Sequence, residues 1–150
     1  MELYNIRKAQ YAHSLMASGV ANRWNKNNEY VIYAGSSRAL AALEMVVHRA
    51  SIQVGTDYKL LTIQVDALSS DIYEITSEML PENWQSIAAY PTLQQIGSEW
   101  YGRRAFLLMQ VPSVIIPREV NYIINTAHPA FASKGRIIGS EDFKWDSRLL

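Results

Sequence analysis

The chain has 150 residues, of which 49% are hydrophobic and 19% charged. That balance excludes a disordered chain and fits one compact domain. Fourteen basic residues cancel fourteen acidic ones, so the basic surplus expected of a phosphate-backbone binder is missing and direct nucleic-acid binding is disfavoured. With no cysteine in the chain, thiol nucleophiles, disulfides and thiolate zinc sites are excluded.

Residues 1–12 carry Glu2, Arg7 and Lys8 and contain no signal-peptide core. No apolar stretch approaches the ~18 residues of a transmembrane helix. The expectation is a soluble, cytoplasmic domain with no membrane partner.

In chain order, Glu2–Ile6 alternates like a short strand and leads into a loop or short helix through Gly19. Tyr30–Tyr33 is β-branched and aromatic, hence a strand. It ends at Gly35-Ser36-Ser37, where a serine can cap a helix running from Arg38 to about Ala50. Tyr58–Val65 and Asp71–Ile75 read as strands. Pro81–Trp84 opens a helical turn, and Thr92–Trp100 reads as a helix. Ala105–Val111 is an apolar strand stopped by Pro112, and Asn121–Asn125 and Gly135–Ile138 are short strands. Short strands mixed irregularly with three or four helices predict an α+β fold.

Motif chemistry is sparse. There is no GxGxxG and no P-loop, and His13, His48 and His128 stand too far apart for a metal pair, so no metal is expected. The helix from Arg38 is more informative. At about 100° per residue, Ser37, Ala41, Glu44 and His48 share one sector, while Ala39, Leu40, Leu43, Val46 and Val47 read as core. Glu44 is therefore either an exposed or ion-paired carboxylate or a functional one, with Ala41 leaving space for a ligand. Arg23, in Arg23-Trp24-Asn25, has the planar fork that suits a pyrophosphate. Trp24 reads as a core anchor. Tyr33 either packs or stacks on a flat heterocycle.

Three blocks then carry a resemblance: Arg23-Trp24-Asn25, the segment Val31–Arg49 (VIYAGSSRALAALEMVVHR), and Leu107–Phe131 (LLMQVPSVIIPREVNYIINTAHPAF). In this order and spacing they resemble the RES domain, a family named for its arginine, glutamate and serine. The likeness runs from Tyr4 to Asp146-Ser147-Arg148-Leu149, so residues 1–150 are read as one RES domain. It implies a fold related to ADP-ribosyltransferases such as diphtheria toxin. It also implies a toxin paired with an Xre-type antitoxin, with NAD as substrate. The implied reaction breaks the nicotinamide–ribose bond, by hydrolysis or phosphorolysis or by passing ADP-ribose to a protein.

Residue by residue, the resemblance places the family's arginine on Arg23, tyrosine on Tyr33, glutamate on Glu44 and serine on Ser113, with Asn121 close by. It implies that Glu44 stabilises an oxocarbenium-like state and that Tyr33 stacks on nicotinamide. Arg23 would hold phosphate, and Ser113 would hydrogen-bond the nicotinamide or ribose. Two positions depart from the family pattern. Asn5 stands where members often carry arginine, with Arg7 on the same strand face as a substitute phosphate ligand. Val20 replaces a basic residue found in related sequences. The competing reading is an attenuated domain that serves as a binding partner in a regulatory complex. Zero net charge is compatible with a homo-oligomer or with a tight complex.

Overall fold

The computed structural model describes residues 1–47 and 52–150. Seven strands form one mixed sheet: β1 (Glu2–Lys8), β2 (Val31–Gly35), β3 (Tyr58–Val65), β4 (Ile72–Glu74), β5 (Leu108–Pro112), β6 (Val120–Asn125) and β7 (Gly135–Phe143). Among the described residues three α-helices accompany them: α1 (Arg38–Val47), α2 (Tyr90–Arg103) and the single-turn α3 (Phe131–Lys134). The sheet order is β4-β5-β6-β2-β1-β3-β7, with β4 and β5 parallel and the other neighbours antiparallel.

The central strands β5 and β2 bury residues on both faces, which fits their mainly apolar sequences. Along β2 the period of two sends Ile32 and Ala34 to one core, with Leu3, Leu61, Ile63, Leu108 and Ile124. Val31 faces the other core, where Trp24, Trp84, Leu93, Trp100, Met109 and Ile123 pack. Tyr33 packs on that side too. A third cluster of Ile6, Ala41, Tyr58 and Leu60 seats α1, with Met45, Phe143 and Trp145 against it.

The seam in the middle of the sheet matters most for function. β1 and β3 pair over seven positions, but β1 and β2 share only Tyr4 opposite Gly35. Beyond that pair the strands part, and the sheet opens. Gly35 ends β2 where α1 begins: a Cβ there would stand 2.8 Å from the Ala41 backbone nitrogen, so only glycine lets the helix start this close.

Most expected elements are present, with extended ends. The strand expected at Gly135–Ile138 continues to Phe143, because it pairs along the whole of β3. Pro112 lies inside β5 rather than beyond it. β4 pairs only as far as Gln110, so the ring displaces no ladder bond on that side. The Ser37 hydroxyl accepts the Leu40 N–H at 3.0 Å and caps α1 as expected. The expected helix end at Ala50 and the position of His48 lie outside the described residues. The expected core face of α1 needs correction. Ala39 and Val47 are exposed, whereas Leu40 and Ala41 are buried, because the helix rests on the sheet along its Leu40–Ala41–Met45 side.

Candidate active site

Where β1 and β2 part, a cleft of about 790 Å³ opens, within the range of small-molecule sites. Tyr4, Asn5 and Ile6 line it from β1, Tyr33 and Gly35 from β2, and Ala41 and Glu44 from α1. Arg23 and Asn121 complete it from the loop before β2 and from β6. The structure thus brings together Arg23, Tyr33, Glu44, Asn121 and Asn5.

Glu44 is the carboxylate of the cleft, and it is held on one side. Its Oε1 accepts the Ser113 hydroxyl at 2.7 Å and the Asn121 amide at 2.6 Å. Ser113 is fully buried, and its hydroxyl also accepts the backbone N–H groups of Ile115 and Ile116, each at 3.1 Å. Its one proton and both lone pairs are engaged, so Ser113 serves Glu44. It does not line the cleft, which corrects the expected direct bond from Ser113 to a ligand. Asn121 keeps its Oδ1 buried without a donor among the described residues.

Tyr33 offers the cleft its ring. Its hydroxyl donates to Asn25 Oδ1 at 2.5 Å and accepts the Trp24 N–H at 3.0 Å. Burial, ahead of every other influence, pushes this hydroxyl well above the ordinary tyrosine range, so it stays protonated.

Arg23 sits at the tip of a turn closed by paired backbone bonds between Asn22 and Asn25. Its Nη1 donates to the carbonyls of Trp84 and Gln85 at 3.2 and 3.4 Å. Its guanidinium lies 4.6 Å from the centre of the Tyr90 ring, a cation–π contact. Helix α2 brings Tyr90 there and docks the turn: Gln94 Nε2 donates to the Asn22 carbonyl at 2.9 Å. Gly97 meets Trp24 so closely that a Cβ would fall 1.6 Å from the Trp24 oxygen.

Of the two departures noted in the sequence, Asn5 has a structural explanation and the side chain of Val20 has none. Asn5 staples the seam where the ladder fails: its Nδ2 donates to the Tyr33 carbonyl at 2.8 Å, and its Oδ1 accepts Arg7 Nε at 2.7 Å. Arg7 Nη1 donates to the carbonyls of Tyr11, Ser14 and Met16. Arg7 therefore organises the loop after β1 from outside the cleft, which corrects its expected role as a substitute phosphate ligand. Its desolvation lowers its pKa. Val20 is exposed, and its carbonyl accepts from Asn25. No group of three or more potential metal-ligating side chains occurs among the described residues.

Comparison with known proteins places the chain in a family. The family model described as the RES domain matches residues 2–146. The chain belongs to the RES-domain family. It is 31% identical over 154 residues to "Toxin Res" of Photorhabdus laumondii, with all of this chain and 97% of that protein covered. It is 40% identical over 108 residues to the "Prs ADP-ribosylating toxin" of a Sphingobium species, covering 71% of this chain and 67% of that one. Its fold is similar to that in a crystal structure of the Mycobacterium tuberculosis MbcT–MbcA toxin–antitoxin complex. That match has a TM-score of 0.74 at 18% identity and covers 95% of this chain and 84% of that one. This RES domain is accordingly a toxin domain with a single α+β fold of the RES type. No helix among its described residues is long and apolar enough to cross a membrane.

Sequence reasoning singled out Arg23, Tyr33, Glu44, Ser113 and Asn121, which the structure places in the cleft or, for Ser113, behind Glu44, and it gave no separate role to Asn25, Tyr90 and Gly97. Asn25 was visible as the third residue of the Arg23-Trp24-Asn25 block. Tyr90 and Gly97 carried no local signal, because their roles exist only once α2 lies against the turn.

Proposed function

We propose that this RES domain is the toxin of a toxin–antitoxin pair and cleaves the nicotinamide–ribose bond of NAD. The observation that carries this reading is the Glu44 carboxylate, fixed through Oε1 by Ser113 and Asn121 in a cleft shared with Tyr33 and Arg23. The ring of Tyr33 stacks on the nicotinamide, and Arg23 holds the diphosphate with the part of its fork that Trp84 and Gln85 do not occupy. The unpartnered acceptor of Asn121 takes a hydroxyl or amide proton of the substrate.

In the reaction the bond from ribose C1′ to the pyridinium nitrogen breaks, and its electron pair stays with nicotinamide, which leaves neutral. The ribose becomes an oxocarbenium-like cation, and the Glu44 charge stabilises it. Water then adds at C1′ and loses a proton, giving ADP-ribose. Inorganic phosphate in place of water gives ADP-ribose phosphorylated at that same carbon. The relative named as an ADP-ribosylating toxin supports NAD as the substrate class. It also favours a second reading, in which a protein side chain of a target takes the ADP-ribose. An antitoxin, of Xre type, is the proposed partner, and the cytoplasm, where NAD is consumed, is the proposed location. In the alternative of a catalytically attenuated domain, NAD binds without nicotinamide release.

Chromatography of products after incubation with NAD separates these readings. Free ADP-ribose indicates hydrolysis, a phosphate-dependent product indicates phosphorolysis, and label on an added protein indicates transfer. NAD recovered unchanged in all three arms contradicts the enzyme reading.

A further inference from the structure

Asn25 is 2% exposed and spends its whole side chain on one loop and one tyrosine. Its Nδ2 donates to the carbonyls of Val20, Lys26 and Glu29 at 3.0, 3.1 and 3.3 Å. Its Oδ1 accepts the hydroxyl of Tyr33 at 2.5 Å. The same hydroxyl accepts the N–H of Trp24, the residue after Arg23. One buried amide therefore closes a circuit from the cleft's aromatic, through the loop, to the turn with Arg23 at its tip. Only a short carboxamide supplies this combination. An aspartate at this depth has no donor for the three carbonyls and puts a charge against them, and a glutamine overshoots the turn.

We propose that Asn25 is a positioning residue that sets Arg23 for the diphosphate by way of the Tyr33 hydroxyl, giving Tyr33 two separable tasks. The ring face serves the flat base, and the hydroxyl fixes the phosphate clamp. This rests on the NAD reading above. A buried asparagine that only filled its loop would destabilise that loop when removed. It would not couple to Arg23.

The test is a double-mutant cycle on NAD binding, measured by calorimetry with the full chain, combined with hydrogen exchange at the Trp24 amide. Tyr33→Phe keeps the ring and removes one hydroxyl, so it reports even if Asn25→Ala fails to fold. Each substitution is expected to weaken NAD binding by about tenfold in the parent, the worth of a displaced hydrogen-bonding group. In an Arg23→Ala background each is expected to change binding by less than about twofold, because the residue they position is gone. Faster exchange at the Trp24 amide in Tyr33→Phe is expected alongside. A tenfold loss that persists in the Arg23→Ala background overturns the positioning role. If the parent binds no NAD, the NAD reading falls. The exchange arm then decides the circuit alone: faster exchange in Tyr33→Phe supports it, and unchanged protection overturns it.

Discussion

At the scale of single residues, Asn5 shows how sequence and structure can assign opposite roles to one side chain. Read as a lost arginine, it is a gap in the phosphate site, and Asn5→Arg should tighten NAD binding. In the structure it bonds across the seam to the Tyr33 carbonyl and also receives Arg7. Arginine at position 5 removes the acceptor for Arg7 and sets two guanidinium groups side by side. Asn5→Arg is therefore expected to lower stability by about 1–3 kcal/mol, the cost of an unpaired buried group, and to leave NAD binding no tighter. Thermal melting and calorimetry on the same sample check both halves. Arg23 gives the complementary case. Tyr90→Leu removes the ring beneath its guanidinium, whereas Tyr90→Phe keeps it. NAD affinity should fall several-fold in the first variant, by about 0.5–1 kcal/mol, and hold in the second.

At the scale of elements, α2 determines where the Arg23 turn rests. Gly97 lets the helix touch the Trp24 backbone, so Gly97→Ala must push helix and turn apart. A loss of about 1–3 kcal/mol in unfolding free energy is expected from overpacking, together with weaker NAD binding. A Gly97→Ala protein with parental melting and affinity would show that the contact relaxes without moving Arg23. Helix α1 was better legible from sequence. The Ser37 cap and the sector shared by Ala41 and Glu44 followed from local spacing, because both depend only on residues within one or two turns. Which flank of α1 would be buried did not follow. The neighbours that decide it, Tyr58, Leu60 and Trp145, come from β3 and from the C-terminal tail, outside the helix's own turns. The seam between β1 and β2 was illegible for the same reason. Strand order is set by packing across the whole sheet, and no residue in β1 announces that its pairing will stop after Tyr4.

At the scale of the whole molecule, the two halves of the sheet are held together around an open cleft by ties at their margins. One tie joins Lys134, at the end of α3, to Asp71, ahead of β4, at 2.6 Å. The Lys134 ammonium, aided by the Leu68 N–H, holds the Asp71 carboxyl below the usual aspartate range. A carboxyl whose pKa is lower folded than unfolded stabilises the fold fully above its unfolded value. That share is lost as pH falls through its folded value. Acid should therefore lower the melting temperature more steeply in the parent than in Lys134→Met, where the tie is absent at every pH. Parallel acid profiles for the two proteins would assign the stability to other groups.

The account as a whole turns on one carboxylate. Glu44→Gln keeps the volume of the side chain and an acceptor for Ser113 and Asn121, and deletes only the charge proposed to meet the oxocarbenium-like state. The most direct measurement is the rate of nicotinamide release from NAD by the parent and by Glu44→Gln at equal concentration, with melting temperatures to establish that both are folded. The account predicts release by the parent and a fall of about 10²–10³ in the variant. Equal rates in the two proteins would contradict it.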